Sequence, residues 1–441
     1  MLDDLKGIRS VLWALTPPVV VALAACAPAR TPAPSPIPSA VPTSSALPTE
    51  TPPAKPSPGP ILIPTSTPTP LAPTSTLTPS STPMVAVTIT YIKMIDSTTG
   101  WAEGQLGTEE TTHILRTTDG GVTWRDVSPV LVDRFGQDAF FLDAQLAWVW
   151  NSNLGESWRT LDGGQSWATV SAFGWSPDLG FVDSQHGWKL NAEYWGLSFV
   201  QFDIVSFSTT QDGGVTWQET NPPPEWGVAY MAYPSAQTAW ALRAGFAKTI
   251  EGVANLGVPF RIQASFDGGA TWITREMPLP PEAFVFERPY DGTYLGGVGN
   301  CEFVSPVYSS TAIWKVALTC ESESWLYTTA NQGETWIISP MPAGVYTDIQ
   351  FISPTVGWLF VLDPLDYYLG DLYQTTNGGQ SWTLIKRTGW ADIGLSFVDP
   401  QLGWAVACTA VHCYQPDAQR ALVKTTDGGR SWQLIEPQLA P

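Results

Sequence analysis

An all-β fold is predicted for this chain: a ring of seven four-stranded antiparallel blades, preceded by a disordered stalk rich in Pro, Ser and Thr. Three observations predict it. One turn motif occurs seven times, at Thr117–Trp124, Thr160–Trp167, Thr210–Trp217, Ser265–Trp272, Thr329–Trp336, Thr375–Trp382 and Thr425–Trp432. A second motif, a Gly-Trp or similar pair, precedes each turn and ends at Trp101, Trp148, Trp188, Trp240, Trp314, Trp358 and Trp404. The two alternate without a skip at a spacing of about 50 residues, the length of a blade of several short strands with turn punctuation.

The turn motif reads Ser or Thr, any residue, Asp or Asn, any residue, Gly, any residue, Ser or Thr, Trp. Its acidic or amide position is Asp119, Asp162, Asp212, Asp267, Asn331, Asn377 and Asp427 in chain order. An Asp-Gly-Gly core between two β-prone runs is a hairpin turn. The carboxylate or amide can bond the turn's own N–H groups, and glycine supplies the positive φ. The turn Trp is expected to pin each turn against the neighbouring blade.

From the N-terminus, Lys6 and Arg9 precede an apolar run from Val11 to Ala24 that is short for a membrane span and reads as an export signal over 1–25. Residues 27–83 hold 18 prolines in 57 positions and cannot bury enough apolar surface to fold. With Cys26 they form a linker over 26–83, semi-rigid and reaching at most about 180 Å at ~3.1 Å per residue. The folded part is 84–441, from a first blade near 88–127 to a last near 391–435. Within a blade, strand A carries an aromatic such as Phe141 or Phe397, strand B starts at Gly-Trp, and strands C and D flank the Asp turn.

The residues Leu23-Ala24-Ala25-Cys26 resemble the lipobox of bacterial lipoproteins. That resemblance implies a lipidated Cys26 and a protein held on the outer side of a bacterial membrane, at the cell surface or in the periplasm. The seven turns resemble the Asp-box, or bacterial neuraminidase repeat. The whole rhythm of 84–441 is similar to the photosystem II stability/assembly factor-like propellers, which are seven-bladed. What this implies is a partner-binding scaffold; Asp-box turns also occur in sialidases and xyloglucanases, so they do not fix an activity.

Four cysteines remain besides Cys26 in a chain expected to be exported. Cys301 and Cys320 bracket an A–B hairpin centred near Ser310, and Cys408 and Cys413 bracket a short loop; the expected disulfides are Cys301–Cys320 and Cys408–Cys413. A metal at Cys408, His412 and Cys413 would have too few ligands for a closed zinc site, and no metal or cofactor is expected. The formal net charge is −19; residues 1–83 hold three acids against four bases, which leaves −20 on the propeller. That excludes nucleic acid and direct adhesion to anionic lipid as partners.

A ligand is expected on the face of the B–C and D–A loops. Trp175, Trp226 and Trp390 fall in D–A connections, and Trp195 and Tyr367-Tyr368 in B–C loops. Asp138, Asp178 and Asp348 begin strand A ten residues before the strand-B Trp, with Asp392 close to that register. Aromatics beside carboxylates suit a sugar or a peptide, or serve only to plug blades and cap turns. The function this supports is a monomeric, membrane-anchored scaffold for a protein or glycan, without catalysis. The alternative is an exo-glycosidase of the sialidase or xyloglucanase kind, against which stand the lack of an inner arginine triad and the place of Arg261 on a strand C.

Overall fold

The structure, a computed structural model, describes residues 85–440 except 109–110, 130–136, 152–153, 174–178, 195–201, 221–227, 244–260, 279–284, 291–292, 299–300, 321–322, 364–365 and 409–419. The expected signal, Cys26 and the stalk lie outside the described residues, and among those described there is no helix.

The chain is a seven-bladed β-propeller of four-stranded antiparallel sheets. Blade one is β1 (Val87–Met94), β2 (Gly100–Leu106), β3 (His113–Thr117) and β4 (Thr123–Asp126). Blade two is β5 (Gln137–Phe141), β6 (Ala147–Asn151), β7 (Glu156–Thr160) and β8 (Ala168–Val170). Blade three is β9 (Leu179–Phe181), β10 (Gly187–Tyr194), β11 (Phe202–Thr210) and β12 (Gln218–Thr220). Blade four is β13 (Val228–Ala232), β14 (Ala239–Arg243), β15 (Arg261–Ser265) and β16 (Ile273–Glu276). A separate hairpin, β17 (Val285–Tyr290) with β18 (Thr293–Val298), then occupies part of the long 278–300 connection. Blade five is β19 (Cys301–Ser309), β20 (Trp314–Cys320), β21 (Glu323–Thr329) and β22 (Ile337–Pro340). Blade six is β23 (Val345–Phe351), β24 (Gly357–Asp363), β25 (Asp366–Thr375) and β26 (Thr383–Thr388). Blade seven is β27 (Asp392–Phe397), β28 (Gly403–Cys408), β29 (Arg420–Thr425) and β30 (Gln433–Ile435). The first strand of each blade is innermost: β19 touches β23, β23 touches β27, and β27 touches β1.

The ring closes through a short final strand, β31 (Gln438–Leu439), laid parallel on the edge of β4. Gln438 N–H donates to Val122 O at 3.1 Å and Ala440 N–H to Trp124 O at 2.7 Å, while Ala86 bridges Gln438. Val85 and Ala86, the described residues before β1, therefore meet the C-terminal tail in blade one.

Packing between blades rests on the strand-B tryptophans. Trp101, Trp148, Trp240, Trp314, Trp358 and Trp404 are fully buried, and Trp188 nearly so. Trp148 donates its indole N–H to Gly213 O, Trp358 to Gly428 O and Trp404 to Gly120 O, each the turn of the following blade. The ring face adds stacking: Trp148 lies 3.7 Å from Phe181, and Trp358 3.6 Å from Phe397, centroid to centroid and nearly parallel. The turn Trp residues share this role, as expected: Trp167 donates to Val127 O of blade one at 2.7 Å, and Trp272 lies edge-on to Phe207 of blade three at 5.5 Å. Trp124 and Trp432 also donate to Gly121 and Gly429 of their own turns. Turn Trp residues sit where the outer strand begins, so most stay half-buried; Trp124 is fully buried because the β31 tail covers it.

Several of the scarce cations reach across blade junctions. From blade one, Arg116 donates to Ala144 O and Lys93 to Phe141 O of blade two. Arg159 of blade two donates to Asp212 O of blade three at 2.8 Å, and Lys315 of blade five to Gly378 O of blade six at 2.8 Å. Arg275 of blade four pairs with Glu334 of blade five at 3.5 Å. Lys424 of blade seven lies 4.7 Å over the Trp404 ring. Lys315 is buried, and desolvation lowers its pKa to about 8.

Candidate functional site: an acid-lined seam between blades six and seven

The seven turns come first, because their carboxylates are the most numerous candidates for chemistry. In blade one, Thr117 Oγ1 donates to Asp119 Oδ1 and accepts from Gly121 N–H, while Thr123 N–H and Oγ1 both donate to the same carboxylate, the hydroxyl at 2.6 Å. The pattern repeats at Asp162, Asp212, Asp267 and Asp427. Hydroxyl and amide donors lower these acids: Asp162 and Asp427 fall to about 2, led by the Ser166 and Ser431 hydroxyls. At Asn331 and Asn377 the polarity reverses at one point. Their Nδ2 donates to Thr335 Oγ1 at 3.0 Å and Ser381 Oγ at 2.9 Å, so the hydroxyl becomes the acceptor. The turn's second position holds Gln332 at φ 60° where the others carry glycine, a strained site for a residue with a Cβ.

This equivalence makes a prediction. Asp212→Asn should leave Tm within about 1 °C, because the amide can make the same bonds. Asp212→Ala should lower it by several degrees, since the turn N–H groups lose their acceptor. A thermal melt of both variants checks it, and equal losses would contradict the turn's proposed bonding logic.

The ligand residues expected from sequence divide unevenly. Trp175, Asp178, Trp195 and Trp226 lie outside the described residues. Asp138 is exposed on β5. Tyr367 and Tyr368 begin β25 and belong to a strand, not to the long loop expected for them; β24 and β25 pair out to Asp363 and Asp366. Trp390 is half-buried, edge-on to Trp432 at 5.7 Å. It rests over Gly370, where a Cβ would come 2.0 Å from Phe360 Cζ and 2.8 Å from Trp390 O. Trp390 therefore closes the end of blade six while leaving part of its ring at the surface.

Asp348 is brought together with Asp392 at this seam. A bulge on β23 between Tyr346 and Asp348 turns Asp348 toward blade seven. Asp348 Oδ2 accepts from Leu395 N–H at 2.6 Å. Two residues on, Gln350 Oε1 accepts from Phe397 N–H at 2.8 Å and its Nε2 donates to Phe397 O at 3.3 Å. Side chains of β23 thus satisfy the free edge of β27, as a further strand would. Ser396 does the same for β1, accepting from Met94 N–H at 2.8 Å.

Burial raises Asp348 to about 7, opposed by the Leu395 bond and assisted by the charge of Asp392. Burial likewise raises Asp392 to about 6, against its Ile393 bond and the nearby Arg420 guanidinium. Both keep part of their surface open, but protein crowds them on most sides, and the crowding sets the direction. Near neutral pH this seam therefore holds protonatable carboxyl groups, in contrast to the ionised turns.

A cavity of about 130 Å³ opens on the same blade, lined by Ala343, Val361, Leu362, Asp363, Asp371 and Tyr373. Burial and Asp371 raise the Tyr373 hydroxyl, and Arg387, which pairs with Asp371 at 3.7 Å, opposes them. Sequence reasoning missed Gln350, Asp371 and Tyr373. Gln350 had a usable signal, since it stands two residues from Asp348 and so on the same face of the strand.

Arg261 lies on β15, third in its blade, and pairs with Glu276 at 3.0 Å. It does not face the ring's inner wall. Cys301 and Cys320 are direct partners in the β19–β20 register. Cys408 is disulfide-bonded, while Cys413 lies outside the described residues. Among the described residues, no group of three or more His, Cys, Asp or Glu could hold a metal ion.

No family model and no curated protein matches this chain. Among solved structures, it is similar to YCF48 bound to D1 peptide, at 15% identity and TM-score 0.44, covering 74% of this chain and 90% of that one. It is also similar to YCF48 from Cyanidioschyzon merolae, at 13% identity and TM-score 0.43, covering 78% and 96%. A third likeness is to the GH74 xyloglucanase from Xanthomonas campestris, at 16% identity and TM-score 0.43, covering 67% of this chain and 44% of that one.

Proposed function

We propose that this chain is a membrane-anchored, extracytoplasmic propeller that serves as a non-catalytic scaffold for a protein or glycan partner. One observation carries the reading. The repeated chemistry of the turns is consumed internally, each turn carboxylate by its own backbone and hydroxyls. What is left over is non-repetitive and gathers at the end of blade six: Trp390, the acid seam and the Asp363–Asp371–Tyr373 cavity. An aromatic plane beside carboxyl groups suits a sugar ring or an extended peptide. The net charge of −20 on residues 84–441 permits cationic groups on the partner.

Anchoring is proposed from Leu23-Ala24-Ala25-Cys26, with the Pro-rich segment as spacer and Cys301–Cys320 and Cys408–Cys413 as disulfides. Cys26→Ser should move the protein from the membrane fraction to the soluble exported fraction and abolish labelling by a fatty-acid probe. Retention in the membrane with undiminished labelling would remove the anchor. Binding is tested separately, on the purified ring, with a glycan array and a library of extended peptides. Trp390→Ala should weaken the captured ligand by about tenfold, in line with an aromatic contact of 1–2 kcal/mol. Equal binding by both proteins would move the site elsewhere.

A second reading, glycoside hydrolysis, is favoured by the two carboxyl groups with raised pKa at one seam. It requires one of them to be free for substrate, whereas Asp348 is engaged by Leu395 N–H. Turnover of an aryl glycoside that disappears in Asp392→Asn would establish it in place of the scaffold.

A further inference from the structure

The blade junctions do not all use the same fastening. Most are crossed by a cation: Arg116 and Lys93 from blade one to two, Arg159 from two to three, Arg275 from four to five, and Lys315 from five to six. Two of these ring-latching cations, Arg116 and Arg159, stand immediately before the turn Thr, as Lys424 does within blade seven. In blade six that position is Gln374. Among the described residues, the side-chain hydrogen bonds crossing from blade six to blade seven come from Asp348, Gln350 and the Trp358 indole. They flank an apolar cluster in which Phe360 and Leu372 meet Ile393 and Leu395, so the polar fastening of this junction is carboxyl, amide and indole.

Among the described residues the charged neighbours are few. From β27 comes Asp392, and from β29 Arg420, which faces Asp392. On blade six itself, Asp371 is paired with Arg387 at 3.7 Å, and Asp363 ends β24. Arg430 is spent on its own turn, donating to Asp427 O at 2.7 Å. Lys93 on β1 points away, to Phe141 O of blade two. One guanidinium thus faces two carboxyl groups, and it lies beside Asp392, not Asp348.

We propose that the seam between blades six and seven is a proton-operated closure: with Asp348 and Asp392 protonated the inner strands stay tied, and with both ionised they part and expose the loop face around Trp390. The physical reason is burial without compensation. A second negative charge placed in a crowded junction has one partial counter-charge and, among the described residues, no other cation facing it. The strand edge that Asp348 caps then trades its bond for water. The proposal rests on the preceding section only for what the opened face would admit; the opening itself needs no ligand.

Hydrogen exchange of the full ring tests it, read on the segment 392–397 relative to β2 and corrected for the chemical pH dependence of exchange. Protection of 392–397 relative to β2 should fall by tenfold or more between pH 5 and pH 8. Asp348→Asn keeps an acceptor for Leu395 N–H, and with Asp392→Asn it should hold the ratio constant. A wild-type ratio unchanged within about twofold overturns the proposal, as does an equal fall in the double variant. Should the double variant fail to fold, carboxyl carbon NMR of the wild type decides. Asp348 titrating below pH 5 would overturn the closure, and titration between pH 6 and 8 together with the fall in protection would support it. Ligand capture that is independent of pH, with the exchange change present, would strike only the proposed binding face.

Discussion

Trp404→Ala should lower the melting temperature by about 4–7 °C and cost about 3–5 kcal/mol, the usual range for deleting a buried Trp side chain. The indole is fully buried, donates to Gly120 O at 2.8 Å and lies under the Lys424 ammonium at 4.7 Å. Its removal therefore takes out packing, a hydrogen bond and a cation–π contact at one place. That place is also where the ring meets itself. Every other junction is backed by the chain running from one blade into the next, whereas among the described residues blade seven reaches blade one through side chains and the β31 tail. Trp358→Ala is the matched control: an indole equally buried, stacked at 3.6 Å on Phe397 and donating to Gly428 O at 3.0 Å. The Trp404 variant should melt lower than the Trp358 variant by several degrees, because opening the closing junction also releases chain entropy. Deleting residues 438–441 should make the Trp404 loss larger than the sum of the two changes taken singly. Equal melting of the two Trp variants would mean that the closing junction is no weaker than the rest.

The blade count and the order of strands were readable because their signals are local and repeated. A turn of eight residues carries its own donors, acceptors and glycines, and seven copies leave little room for another period. What joins the blades was not readable. Asp348 meets Leu395 across 47 residues and Trp404 meets Gly120 across 284, and no spacing rule announces such pairs. The two Trp classes look alike in sequence, yet one is buried between sheets and most of the other stays half-buried at an outer edge. The closing strand, Gln438–Leu439, is two residues long and has no periodicity to detect. Tyr367-Tyr368 looked like loop aromatics because Pro364 interrupts the run. In the fold they open a ten-residue strand. For the candidate site, Asp348 and Trp390 were named from register and loop position alone. Their significance came from burial and from the blade-seven partners brought across the seam, both properties of the assembled ring.

The stability of the ring should peak near pH 4–5 and decline toward pH 8, with the decline removed in the Asp348→Asn/Asp392→Asn variant. Two populations of carboxyl groups set the two sides of this curve. The turn acids have folded pKa values below the unfolded Asp value of about 3.9, near 2 for Asp162 and Asp427. Their contribution is present above that unfolded value and is lost as pH falls through about 2. The seam acids do the reverse. Asp348 near 7 and Asp392 near 6 bind protons in the folded ring that the unfolded chain has already released. Stability must therefore fall as pH rises from about 4 to 7, and it levels off once both are ionised in either state. Exposed acids with ordinary pKa values finish titrating by about pH 6, so mutual repulsion among the −20 charges cannot account for a fall between pH 6 and 8. A loss of the order of 3 kcal/mol from the seam corresponds to about 4 °C for a folded part of this size. Differential scanning fluorimetry at constant ionic strength from pH 3 to 9 reads both arms. A flat profile between pH 6 and 8 in the wild type would show that these carboxyl groups ionise without cost, and the closure between blades six and seven would lose its physical basis.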